Sequence, residues 1–247
     1  MSSRFTLSEK QGLYKRKTSK LQYYLFRLKR CGMNFEIFTI ENRKDLIPLA
    51  EKSARNIAQF IGIPATVVTP QRFDFSVLKY PNYAKAWIWD LAKPNTDKIL
   101  YLDSDVAMIK PFSNLEKMDG AFYACDDVIN YLNADLGLPK VPNYFNAGIF
   151  FCSRESKPVF KKLQEILKDE TWDDHMYEQH WMNILVHQIL GGYSKLDLNY
   201  NWLPCLGDPP ANVINWHFAG MGERGVQQAA LVNMIRDRIR YGMVYPS

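Results

Sequence analysis

Between Phe35 and Leu102 short β-favouring runs alternate with stretches of helical spacing, and this alternation constrains the fold more than any other feature of the chain. Phe35 to Ile40 alternates apolar with other residues and is rich in Phe, Ile and Thr, which reads as a strand. Leu46, Leu49, Ala50, Ala54, Ile57, Ala58 and Ile61 recur at helical spacing, and Gly62 closes that helix. Pro64 introduces a strand over Ala65 to Thr69, and a helix is expected from Tyr83 to Leu91, stopping before Pro94. Ile99, Leu100, Tyr101 and Leu102 then form the kind of apolar run expected of a strand buried on both faces. Arg4 to Ser8 and Thr18 to Lys29 extend the pattern forward as a short first strand and a helix ended by Gly32. Such an order implies the α/β class, with a mainly parallel, Rossmann-like central sheet and right-handed crossovers.

The run at 99–102 ends in two carboxylates, Asp103 and Asp105, separated only by Ser104. Ligands of open α/β sheets bind beyond the carboxyl ends of the strands, so a functional group is expected at this place. Two adjacent carboxylates repel unless a cation lies between them, and oxygen ligands suit Mg²⁺ or Mn²⁺, which also hold phosphates. An exposed acidic turn that ends a strand is the plainer alternative.

The second half is less regular. Gly120 to Cys125 reads as a strand ending in Asp126 and Asp127, and Tyr144 to Cys152 is an apolar run interrupted by Asn146 and Gly148. The latter two suggest a polar side chain and a close backbone approach inside a core. Helices are expected at Pro158 to Leu167 and Glu178 to Leu190, and His217 ends a further strand before Gly220, Gly222 and Gly225. His217 is either structural or the neutral imidazole of an octahedral site, and the glycines either a flexible loop or a turn offering N–H groups to phosphate.

At 247 residues the chain fits one substantial domain, and without a repeat or linker one domain over 1–247 is expected. No apolar run approaches the roughly 20 residues that span a bilayer, and the amino terminus lacks an apolar signal core, so a cytoplasmic protein is expected. Widely spaced Cys31, Cys125, Cys152 and Cys205 fit reduced thiols. A net charge of +5 is too small to imply nucleic acid. Basic residues crowd Lys10 to Arg30 among apolar ones, a pattern that suits an anionic membrane surface, an acidic substrate or a core helix with a solvated basic face. The basic amphipathic stretch from Met234 to Tyr241 leaves the same choice between peripheral membrane contact and a plain surface helix.

Five segments together resemble the retaining glycosyltransferases of the family that contains glycogenin, bacterial lipopolysaccharide galactosyl- and glucosyltransferases and galactinol synthase (glycosyltransferase family 8). They are Tyr-Leu-Asp-Ser-Asp-Val at 101–106, Phe-Asn-Ala-Gly at 145–148, Glu-Gln-His-Trp-Met-Asn at 178–183, Leu-Asp-Leu-Asn-Tyr-Asn at 196–201 and His-Phe-Ala-Gly at 217–220. The resemblance implies a GT-A fold, with a nucleotide-binding half over 1–105 and a donor-sugar and acceptor half over 106–247. It makes Asp103, Asp105 and His217 the ligands of Mn²⁺ or Mg²⁺, completed by the diphosphate of a UDP-sugar. Thr6 and Leu7 would present backbone to the uracil and Tyr14 would stack on it. Lys85 would contact sugar and phosphates, Asn146 and Ala147 would line the sugar pocket, and Glu178 with Gln179 would hold the sugar near its anomeric carbon. Ser104, Gly220 and Arg224 complete the implied donor set.

Two positions depart from the family pattern. Glu178 stands where the family has Asp, and Glu223 where it has a phosphate-binding Lys, with Arg224 next to it. The implied activity is transfer of a hexose to a glycan, lipid-linked or other hydroxyl acceptor with retention, catalysed by Gln179, Glu178 and Lys85. Ordering of the loop after Gly220 on donor binding is expected to exclude water. A non-catalytic sugar-nucleotide binder is the alternative that Glu223 motivates. A glycoside hydrolase fits poorly, because acids one residue apart do not flank a sugar from opposite sides.

Overall fold

A computed structural model describes residues 33–110, 112, 117–128, 140–168 and 177–240. The expected strand Arg4 to Ser8, the helix Thr18 to Lys29 and the basic segment around them lie outside the described residues. Strand β1 (Phe35–Ile40), helix α1 (Ile47–Ile61) and strand β2 (Ala65–Val68) follow the periodicity of the sequence closely. Gly62 closes α1 in the left-handed region at φ 77°, donating its N–H to the Ala58 carbonyl. The expected helix at 83–91 differs: it is a 3₁₀ helix, Pro81–Trp87, passing into a single α-turn, α2 (Ile88–Leu91).

The remaining elements are β3 (Lys98–Leu102), β4 (Val106–Met108), β5 (Phe122–Asp126), β6 (Phe145–Ser153), α3 (Lys157–Leu167), α4 (Tyr177–Leu190), β7 (Ser194–Leu196), β8 (Asn215–His217) and α5 (Gly222–Arg240). Among the described residues they form a six-stranded sheet in the order β2-β1-β3-β6-β5-β7 and a two-stranded sheet of β4 with β8. β1 runs parallel to β2 and β3, β5 runs parallel to β7, and only β6 opposes its neighbours β3 and β5. The sheet is therefore mostly parallel, as the alternation of elements implied.

Both faces of the sheet are covered, which is why β3 and β6 are buried along their whole length. Ile99 and Tyr101 of β3 enter the apolar cluster on one face with Phe122, Phe150 and Phe160, while Leu100 and Leu102 enter the other with Ile37, Ile149 and Phe151. Phe150 stacks on Tyr101 with ring centroids 4.9 Å apart, so the residue two before Asp103 is set by core packing. On the other side Asn233 of α5 donates to Ser53 of α1 and accepts from the Met108 N–H of β4, tying the small sheet to that helix. Cys125, Cys152 and Cys205 are free, and burial pushes the Cys152 thiol up to about 12. No helix among the described residues is long and apolar enough to cross a membrane.

Candidate active site

The sharp turn after β3 is where distant parts of the chain meet. Asp103 N–H donates to the Gly148 carbonyl at 2.8 Å, and Phe218 N–H donates to the Asp105 carbonyl at 3.0 Å. β4 begins at Val106 and pairs antiparallel with β8, Val106 standing opposite His217. The acidic turn and the histidine are thus held together by backbone pairing alone. Nε2 of His217 lies 3.3 Å from Asp105 Oδ1 and 3.7 Å from Asp103 Oδ2. One ligand atom of each residue lies within 4.8 Å of the others.

The orientation of His217 follows from its hydrogen bonds. Gly148 N–H donates to Asn146 Oδ1 at 3.0 Å, which identifies that atom as oxygen, so the Asn201 atom facing it at 3.0 Å is the donating Nδ2. Asn201 then turns Oδ1 toward His217 Nδ1, 2.9 Å away, and accepts its proton. The neutral imidazole keeps its Nε2 lone pair for the space between the carboxylates. Burial alone would lower the His217 pKa and raise that of Asp105, but their contact reverses both: His217 lies above its ordinary value and Asp105 below. Two carboxylates and one imidazole on a strand-end turn are a donor set suited to a divalent cation such as Mn²⁺ or Mg²⁺.

Asp103 faces two ways. Its Oδ1 accepts from Tyr101 Oη at 2.7 Å and lies 3.2 Å from Lys85 Nζ, leaving Oδ2 for His217. Burial raises the Tyr101 pKa well above its ordinary value, with Asp103 adding to it, so the phenol remains a donor. Lys85 is only 4% exposed, and its ammonium also lies 3.2 Å from Glu178 Oε1. Burial works against the Lys85 charge, yet Asp103 and Glu178 outweigh it and raise its pKa. Asn82 donates to the other oxygen of Glu178 at 2.7 Å. Three residues complete one turn of a 3₁₀ helix, so Asn82 and Lys85 lie on one line and reach both oxygens of the same carboxylate.

Beyond them α4 secures the floor of the site. Gln179 accepts from the Ala147 N–H at 2.8 Å and donates to Asp127 at 3.1 Å, while Asn183 exchanges hydrogen bonds with both backbone groups of Phe145. Lys85, Asp103, Asp105, Asn146, Glu178, Gln179 and His217 line one cleft of about 570 Å³. Ser104 and Gly220 line it as well. Ala147 is fully buried behind Gln179, and Arg224 is exposed in the first turn of α5. Thr6, Leu7 and Tyr14 lie outside the described residues. The glycines at 222 and 225, expected in a loop, open the helix α5 instead.

Several contributors were not singled out from sequence. Asp127 stands at the end of β5 much as Asp103 stands at the end of β3, and Asn201 lies in the 196–201 segment without an assigned role. Asn82 gave no signal, since its partner is 96 residues away. At the far end of β1, Ile40, Glu41, Asn42 and Arg43 form a wall of the same cleft.

Residues 32–216 match the model of glycosyl transferase family 8. The chain belongs to this family. Galactinol synthase 3 of Arabidopsis thaliana is 32% identical to this family 8 chain over 111 residues, covering 35% of the chain and 32% of the relative. The match thus spans about a third of that relative's length. Among solved structures, a glycosyltransferase involved in glycosylation of the major capsid of PBCV-1 is similar at a TM-score of 0.56 and 18% identity, over 82% of this chain and 99% of that one. The glycosyltransferase GlyE of Streptococcus pneumoniae TIGR4 is similar at 0.55 and 16% identity, over 87% of this chain and 65% of that one. These likenesses identify the architecture as a GT-A fold.

The crowding of the site yields one expectation. A Cβ on Gly148 would stand 2.2 Å from His217 Cε1 and 2.8 Å from Asp103 Oδ2. Gly148→Ala is expected to weaken Mn²⁺ affinity by about tenfold or more, read by calorimetric titration. Unchanged affinity would show that these two side chains do not set the cation site. A second expectation concerns pH. Because the folded His217 value is raised above about 6.5, its attraction to the carboxylates stabilises the metal-free protein fully below that pH and is lost as pH rises through the raised value. A cation must displace the same proton, so Mn²⁺ affinity rises over that window while metal-free stability falls. Thermal melts and titrations of wild type against His217→Gln between about pH 5.5 and 8.5 check both signs.

Proposed function

We propose that the protein transfers a hexose from a UDP-sugar to an acceptor hydroxyl with retention at the anomeric carbon, using Mn²⁺ or Mg²⁺. The observation that carries this is the convergence of Asp103, Asp105 and His217 with Lys85, Glu178 and Gln179 on one cleft. A cation bound by the first three would neutralise charge on the departing UDP. Gly220 and Gly222 line the same cleft where α5 begins, so helix-end N–H groups face the place for phosphate.

The sugar lies, in this reading, between Asn146 and the Glu178–Gln179 pair. Lys85 holds Asp103 and Glu178 apart at fixed distances and so sets the metal end and the sugar end relative to each other. Neither candidate nucleophile is free to attack. Gln179 is an uncharged amide held at both ends, and both oxygens of Glu178 are engaged, by Lys85 and Asn82. This favours attack by the acceptor on the face that UDP leaves, with the diphosphate taking the acceptor proton. The lid role expected after Gly220 falls to the amino end of α5. The acceptor is a glycan, a lipid-linked glycan or another hydroxyl compound, and the compartment in this reading is the cytoplasm; the basic segments either touch a membrane or form solvated helix faces. One domain over 1–247 is part of this proposal.

Glu223, in the first turn of α5, favours one competing reading, a protein that binds the sugar nucleotide without turning it over. A panel of UDP-sugars with Mn²⁺ or with chelator, read by mass detection of UDP, separates the two. One donor is expected to release UDP in a metal-dependent way, and Asp103→Ala and Asp105→Ala to slow that release by at least about a hundredfold. Undiminished release in both variants would contradict the assignment. Tight UDP binding without release from any donor, with or without acceptor hydroxyls, would favour the binder.

A further inference from the structure

Glu41 and Arg43, at the carboxyl end of β1, form a clamp on one wall of the cleft. Glu41 is 2% exposed and every lone-pair direction of its carboxylate is engaged. Oε1 accepts from the Arg43 backbone N–H at 3.1 Å and from its Nε at 2.8 Å. Oε2 accepts from Arg43 Nη2 at 2.8 Å and from Ser104 Oγ at 3.0 Å. The guanidinium therefore lies side-on against a buried carboxylate that is also bonded to the middle residue of the Asp103–Asp105 turn. Its Nε edge is consumed. The Nη1 end of the fork has no hydrogen-bond partner among the described residues, and the side chain remains 36% exposed in the cleft.

The charges of the cleft say what such a group is for. Its lining holds two cations, Lys85 and Arg43, against four carboxylates, Glu41, Asp103, Asp105 and Glu178. Lys85 is spent between Asp103 and Glu178. Glu223 adds a further negative charge nearby, where it and Asp105 both act on the guanidinium beyond the larger effect of Glu41. A ligand with a diphosphate entering this field meets one protein cation with donors to spare. A guanidinium fixed in plane by a carboxylate presents a ready fork to phosphate oxygens, and little entropy remains to be lost on binding.

We propose that Arg43, clamped by Glu41, is the protein cation that receives the phosphates of the nucleoside diphosphate, the position Glu223 cannot serve. This rests on the UDP-sugar reading of the cleft. Glu41 is the positioning residue, transmitting the setting of the Ser104 turn to the guanidinium.

Calorimetric titration of UDP, UMP and uridine in saturating Mn²⁺ tests it. Wild-type binding of UDP judges the reading of the cleft, and the variants alone judge Arg43. Arg43→Gln leaves Glu41 a hydrogen-bond donor, and Arg43→Lys keeps the charge while losing the fork; thermal melts verify folding of both. Arg43→Gln is expected to weaken UDP by roughly tenfold or more, UMP by less and uridine hardly at all, with Arg43→Lys recovering only part. Unchanged UDP affinity in Arg43→Gln, or an equal loss for uridine, would overturn the assignment.

Discussion

The candidate site is built around one buried ammonium. Lys85 Nζ stands 3.2 Å from both Asp103 and Glu178, so a single charge joins the turn after β3 to the first residues of α4. Removing a partner from a buried ion pair costs about 3–5 kcal/mol, since an uncompensated charge is left behind. Neither carboxylate can therefore shift without disturbing the other. Tyr101 fixes the oxygen of Asp103 that Lys85 touches, and so releases the second oxygen toward His217. A chain of polar contacts runs on through Asn201 and Asn146 to the floor of the cleft. The acidic turn and the floor of the cleft are two ends of one hydrogen-bonded network.

Glycine is what permits that network to close. Gly148 passes within contact of His217 and Asp103, and Gly225 packs against the Phe218 carbonyl and Asp105. Both lie where any side chain would occupy space the acidic turn needs. The aromatic stack of Tyr101, Phe150 and Phe122 supports the opposite side of the turn from within the core. Apolar packing sets the backbone, and the polar network selects among the rotamers that remain.

The sequence made the sheet and the acidic turn legible because their signals are local. Strong alternation in β1, helical spacing in α1 and an unbroken apolar run in β3 leave few alternatives, and all three fall where the pattern puts them. Apolar spacing predicts a helix from Tyr83 to Leu91, but the spacing does not register that Asn82 and Lys85 must meet one carboxylate on α4. The 3₁₀ turn satisfies that distant demand. Gly222 and Gly225 suggested a loop because glycine disfavours helices, and the helix there uses Gly225 for close approach rather than for propensity. Asp103, Asp105 and His217 could be nominated from residue type and family resemblance. Their supports were harder to assign: Asp127 and Asn201 stand in segments the sequence marks, but the bonds from Asn82 to Glu178, Ser104 to Glu41 and Gln179 to Asp127 join residues more than fifty positions apart.

In the proposed reaction the acidic turn, His217 and a bound cation together receive the donor's diphosphate. Anomalous diffraction from crystals grown with UDP and Mn²⁺ addresses it most directly. A manganese peak bounded by Asp103, Asp105 and His217, with the diphosphate oxygens on the same ion, is the predicted result. Density for UDP in the cleft with no ion at those three residues, or manganese bound elsewhere with the three left in mutual contact, would contradict it.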